Sequence, residues 1–185
     1  MEIVDTIYSI INSIGKEKIQ SDITSDLSLT RHYIKFIMAQ CEKLTGATDA
    51  ETMGSFSEAL LHFMLTVTTL PSARKVQINN IDLDIVIPNL HTLRNSPNKA
   101  VIIQVSKDNS LAMQEQLGSL DLIQPNYRNL WIISGKPLLV ECINYIINPL
   151  ESGTASVGKR NFHNIIIDIN KFLEETGDKS LRLFQ

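Results

Sequence analysis

Asp82 and Asp84 stand two residues apart in the run Val76-Gln-Ile-Asn-Asn-Ile-Asp82-Leu-Asp84-Ile-Val-Ile-Pro88. Successive side chains of a strand point to opposite faces, so a strand here puts both carboxylates on one face and Leu83, Ile85 and Ile87 on the other. Two carboxylates held side by side are hard oxygen donors, the kind a divalent cation takes. The Asn79-Asn80 pair between two alternating apolar runs signals a tight turn, which predicts an antiparallel hairpin of Arg74 to Ile78 and Ile81 to Ile87. A third run, Val101 to Val105, is apolar but for Gln104 and reads as a central strand buried on both faces. The Gln104 amide needs a partner in such a place.

The rest of the chain must position these strands. At 185 residues it fits one domain, or one domain with a small appendage. Apolar residues at 43% and charged residues at 20% describe a soluble globular protein rather than a disordered one. The net charge of −3 leaves no overall basic footprint, so any nucleic-acid surface must be local. Cys41 and Cys142 lie far apart, with no CxxC and no Cys/His pair at metal spacing, which points to a reducing compartment and no structural zinc. No basic start followed by an apolar core is seen, and no apolar run nears the roughly 20 residues that span a bilayer. A cytoplasmic protein without membrane contact is expected.

Ile3, Ile7, Ile10, Ile11 and Ile14 recur at helical spacing up to Gly15. A short helix then ends at Leu27, and after a three-residue turn Thr30 stands where it could cap a helix from Arg31. Thr45 to Glu51 reads as a linker, and Gly54 to Leu65 as a helix with Phe56, Leu60, Phe63 and Met64 on one face and Glu58 near it. Beyond the hairpin, Asn89 to Lys99 reads as a loop, and Ser110 as the cap of a helix that ends before Pro125. Asn129 to Ser134 reads as a buried strand, and Pro137 opens a predicted helix through Val140, Ile143 and Ile147. Asn148 to Asn161 is a polar loop, Asn164 to Ile169 a last predicted strand, and Lys171 to Glu175 a short C-terminal helix.

The segment around the Leu27-Ser28-Leu29 turn resembles a helix-turn-helix, with Ile34 anchoring its second helix, although Ser28 stands where that motif usually has Gly. The resemblance implies that Arg31, His32 and Lys35 face a groove and contact phosphates or base edges. The segment Lys16 to Lys43 is nevertheless close to charge-neutral.

From Gly54 onward the order of elements is helix with Glu58, hairpin with Asp82 and Asp84, buried strand with Gln104, helix, strand, helix, strand. This resembles the core of the PD-(D/E)xK nuclease superfamily, the restriction-endonuclease-like fold, over about residues 54 to 170. The resemblance implies an α/β fold with a mixed sheet flanked by helices, a helical region at 1–47 and the nuclease-like core at 48–185. It also implies a Mg²⁺ site from Glu58, Asp84 or Asp82, and Gln104. The ion would neutralise charge developing on a phosphodiester, and a lysine would activate the attacking water. Ser106 occupies the position of that lysine, and Lys107 on a regular strand points the other way unless the strand ends or bulges. Lys75 on the neighbouring strand is a second substitute.

Gly153 to Arg160 matches the glycine and lysine spacing of a phosphate-binding loop, but Arg160 replaces the Ser or Thr, and the order of flanking elements is reversed. It reads as a flexible, solvated basic loop, with contact of Lys159 and Arg160 to a phosphate backbone as the alternative. His32, His62, His91 and His163 show no metal-ligand spacing. The function expected is a nucleic-acid-associated protein, with DNA as partner, whose nuclease-like site of Glu58, Asp84, Gln104 and Lys107 is incomplete. An active Mg²⁺-dependent nuclease is the first alternative. A non-enzymatic interaction or oligomerisation module, with a protein partner or a second copy, is the other.

Overall fold

The structure, a computed structural model, describes residues 3–107, 110–147 and 158–177. Four helices come first: α1 (Ile3–Ile14), α2 (Lys16–Ser25), α3 (Leu29–Thr45) and α4 (Ala50–Val67). The sheet then begins with β1 (Ala73–Ile78) and β2 (Ile81–Ile87), and α5 (Leu90–Asn95) leads to β3 (Val101–Val105). After α6 (Ser110–Leu120) come β4 (Leu130–Ser134), β5 (Ile143–Ile146), β6 (Lys159–Asn161) and α7 (Ile165–Thr176). The result is an α/β fold with a six-stranded mixed sheet whose spatial order follows the chain. β1, β2 and β3 are antiparallel, and β3 to β6 are parallel. Among the described residues no helix is long and apolar enough to cross a membrane.

Apolar side chains fill both faces of the sheet. On one face Ile85, Ile103, Ile133 and Tyr145 pack with Ile7, Ile34, Phe56, Leu60 and Ile165, so α1, α3, α4 and α7 share one core with the strands. On the other, Val86, Ile102, Leu130 and Ile132 pack with Leu93 of α5 and Leu120 of α6. Every residue of β3 and β4 is buried, as apolar runs in the middle of a sheet covered on both sides require. The N-terminal helices are thus continuous with the sheet's core, and the 45–51 segment carries Asp49, whose side chain accepts the Thr52 amide at 2.8 Å to cap α4.

The hairpin forms as its sequence predicts. Asn79 and Asn80 have φ of +50° and +61°, the left-handed pair of a two-residue turn that asparagine tolerates. The α2–α3 turn falls two residues earlier than expected, at Asp26 to Ser28. Asp26 accepts the Ser28 amide at 2.8 Å, and Thr30, fully buried inside α3, donates its hydroxyl to the Leu27 carbonyl instead of capping the helix.

Two predicted elements change type. Residues 137–147 form an extended connection and β5, not a helix, because β4 needs a partner on its second edge and Ile143-Asn-Tyr-Ile is β-branched and aromatic. Asn144 holds this arrangement: its amide donates to the Ile132 carbonyl at 3.0 Å and to Ser134 Oγ at 2.7 Å, and its oxygen accepts the Leu138 amide at 2.9 Å. Conversely, Asn164 to Ile169 opens a helix, not a strand. Ile165, Ile166, Ile169 and Leu173 make one buried helical face, a period that only shows when the run is read through to Leu173. The predicted loop ends in β6, and residues 148–157, including most of the glycine-lysine match, lie outside the described residues.

Replacing Asn144 by Leu takes the side-chain partner from the partly buried Leu138 amide and the buried Ile132 carbonyl. Urea denaturation is expected to show a loss of about 2–4 kcal/mol relative to wild type.

Candidate functional site

The polar cluster begins where two strands part. β2 and β3 share backbone pairing from Ile87–Val101 to Ile85–Ile103 and no further. Beyond that point side chains replace the ladder. Gln104 accepts the Asp84 amide on Oε1 at 2.6 Å and donates Nε2 to the Asp82 carbonyl at 2.9 Å, while the Asp84 carboxylate accepts the Val105 amide at 2.9 Å.

The hairpin turns over at the same place. Ile85 and Ile87 face the core beneath the N-terminal helices, but Leu83, expected beside them, packs with Val86 in the opposite core. Across the ladder Arg74 pairs with Ile85 and Val76 with Leu83, which sets Lys75 opposite Asp84 at the turnover. Lys75 has φ of +49°. A side chain with a Cβ in that region stores of order 1–3 kcal/mol of strain, so surrounding contacts must hold it there.

Those contacts are ionic. The Lys75 ammonium is shared between Asp84, at 2.8 Å, and Oε1 of Glu58 from α4. Oε2 of Glu58 takes the ammonium of Lys107 at 2.5 Å. Glu58 is only 6% exposed, so its charge needs both partners. Burial pushes its carboxyl upward, but Lys107 and Lys75 outweigh that and hold it below the ordinary carboxylate range. Burial lowers Lys75, yet Asp84 and Glu58 raise it above the usual lysine range overall.

Lys107 reaches Glu58 because β3 ends at Val105, which frees the next residues from strand alternation. Gly54, one turn before Glu58 on α4, makes room for it. A Cβ on Gly54 would sit 3.1 Å from the Lys107 side chain and from the Ser106 carbonyl. One turn after Glu58, His62 lies against the cluster. Its Nε2 is buried with no hydrogen-bond partner among the described residues, and its carbonyl accepts the Arg74 guanidinium at 2.9 Å. Burial, with help from Arg74 and Lys75, pushes the His62 pKa below that of an ordinary histidine.

Of the residues expected to form a metal site, Glu58 and Asp84 are brought together, with Lys75 between them. Gln104 spends its amide on the β2 backbone, and Asp82 is exposed at the hairpin, accepting from Gln77 at 3.0 Å. Among the described residues no group of three or more His, Cys, Asp or Glu side chains is placed to hold a metal. As arranged, this donor set does not fit a divalent cation, because the space between its two carboxylates is taken by an ammonium group.

The nucleic-acid expectations fall on a second surface. Arg31, His32 and Lys35 are exposed on α3, which packs on the 3-10 turn Phe162–Asn164 directly after β6. Arg160 of β6 is committed to Asp168 of α7 at 3.0 Å and to the Tyr145 hydroxyl at 3.3 Å. Burial, together with the charges of Lys35 and Arg31, pushes His163 down to about 4.

No known family model, curated protein or solved structure matches the chain. The sequence reading missed the roles of Gly54 and His62, although Gly54, Glu58 and His62 recur every four residues and so share a helix face. Lys75 appeared only as a substitute, since nothing in sequence marks its left-handed backbone.

Gly54→Ala is expected to displace Lys107 and cost about 1–3 kcal/mol by overpacking. The Glu58 carboxyl should then titrate higher, read by carboxyl-carbon NMR, because burial loses one of its two opponents. His163 and His62 both have depressed pKa values in the fold, so their stabilisation is present above the unfolded histidine pKa and lost as pH falls. The thermal midpoint should drop from roughly pH 6.5 downward, to about 4 for His163, and His163→Gln should flatten that slope.

Proposed function

We propose that this chain is a nucleic-acid-associated protein with a nuclease-like core, of the PD-(D/E)xK kind, whose catalytic centre is closed by its own lysine. The observation that carries this reading is Lys75, bonded at once to Glu58 and Asp84. In an active site of that kind those carboxylates would hold the divalent ion. Here the ammonium supplies the positive charge they need, and Gln104 works as a clamp between β2 and β3 instead of a ligand. The order helix, antiparallel hairpin, central strand, helix, parallel strand supports the nuclease-like assignment. Support for the nucleic-acid partner comes from exposed Arg31 and Lys35, which pair with no described carboxylate.

One feature favours a second reading, an active nuclease: Lys107 comes round the end of β3 to Glu58, as a water-activating lysine would have to. The two separate in one experiment. Labelled DNA is incubated with the protein in Mg²⁺ or Mn²⁺ and resolved on denaturing gels beside a salt series of binding measurements. The expected result is binding that weakens with salt, no metal-dependent cleavage, and the same binding in Asp84→Ala. Cleavage abolished by Asp84→Ala would establish the active enzyme, and no binding at any salt would move the function to a protein partner.

A further inference from the structure

A surface cavity of about 340 Å³ opens beside α3, lined by Ile14, Lys18, Asp22, Leu29, His32, Tyr33 and Phe36. Its outer wall is aromatic: the His32 and Phe36 rings stack with centroids 6.4 Å apart and planes 17° apart. Phe36 is 42% exposed, at the margin of the helix's buried face of Tyr33, Ile34, Ile37 and Cys41.

The charge around the ring pair is one-sided. Arg31 and Lys35 precede His32 and Phe36 by one residue each, so the two cations form a row alongside the two rings. Neither cation pairs with a described carboxylate. His163, in the 3-10 turn packed on α3, is lowered first by burial and then by the charges of Lys35 and Arg31. The one acid at the cavity, Asp22, is already engaged by Lys18 at 2.7 Å and by the Tyr33 hydroxyl.

A row of cations with no carboxylate partner among the described residues, beside a row of exposed rings, matches a polymer with phosphates along one edge and flat bases along the other. Duplex DNA shows a helix only phosphates and base edges, and an exposed phenylalanine gains little from either. A single strand offers base faces, which stack on such rings without regard to sequence. From this juxtaposition we infer that the N-terminal half of α3 binds single-stranded nucleic acid, with Arg31 and Lys35 on successive phosphates and a base stacked on the His32–Phe36 pair. The inference rests on the nucleic-acid reading above and narrows it to single strands.

The test uses the full chain with fluorescein-labelled oligo(dT), oligo(U) and a hairpin duplex, followed by anisotropy over a salt series. An oligonucleotide carrying 2-aminopurine reports stacking directly. The expected results are tighter binding to single strands than to the duplex, and quenching of 2-aminopurine. Phe36→Ala should weaken single-strand binding roughly 5- to 150-fold with an unchanged salt slope. Arg31→Ala and Lys35→Ala should each lower that slope by about 0.7. Phe36→Ala is at an exposed position, and an unchanged circular dichroism spectrum checks its fold. Tighter duplex binding, with Phe36→Ala indistinguishable from wild type, would overturn the single-strand inference and leave the broader nucleic-acid reading standing. Absence of binding to all three probes would overturn both.

Discussion

The parting of β2 from β3 below the Ile85–Ile103 pair is the constraint from which the polar cluster follows. Backbone groups released from a ladder inside a protein must find other partners or cost several kcal/mol. Gln104 and the Asp84 carboxylate are those partners, each reaching across to the other strand's backbone. The parting also lets the hairpin turn over, so that Leu83 and Ile85 serve opposite cores. Lys75 absorbs the turnover in a left-handed conformation and arrives beside α4.

Glu58 makes that arrival necessary. A carboxylate so deeply buried would be driven to neutrality by desolvation unless positive charge stood close. Lys75 and Lys107 supply it from two sides, one from the edge of the sheet and one from the end of its central strand. Strain at Lys75 and the close approach at Gly54 are the local costs of bringing the two lysines to one acid. The cluster is consequently a coupled unit. Removing either lysine leaves a buried charge half compensated, whereas removing Glu58 leaves two half-exposed lysines that water can solvate.

The sequence carries the fold where local chemistry and tertiary demand agree. Asn79-Asn80 can hardly be anything but a turn, and the Val101 to Val105 run is long enough for one buried strand and too short for a helix. Agreement fails at Ile143 to Ile147 and at Ile165 to Ile169, short isoleucine-rich runs compatible with either period. Which one becomes a strand depended on which lay against the open edge of β4, a fact of three dimensions. For the site, the order of Glu58, Asp84 and Gln104 was legible, and so was the need for Lys107 to leave the strand. That Gln104 would be consumed by backbone groups was not, because its partners lie 20 and 22 residues away and become available only when the strands part.

In the proposed reading the Lys75 ammonium, paired with both Glu58 and Asp84, holds the position a divalent ion would take between them. Calorimetric titration of Mn²⁺ into wild type and Lys75→Ala tests it most directly, with Lys75→Ala/Asp84→Asn as the control for site-specific binding. Wild type is expected to bind no Mn²⁺, and Lys75→Ala to bind at a single site that the added Asp84→Asn removes. Binding of Mn²⁺ to wild type that is lost in Asp84→Asn alone would contradict it.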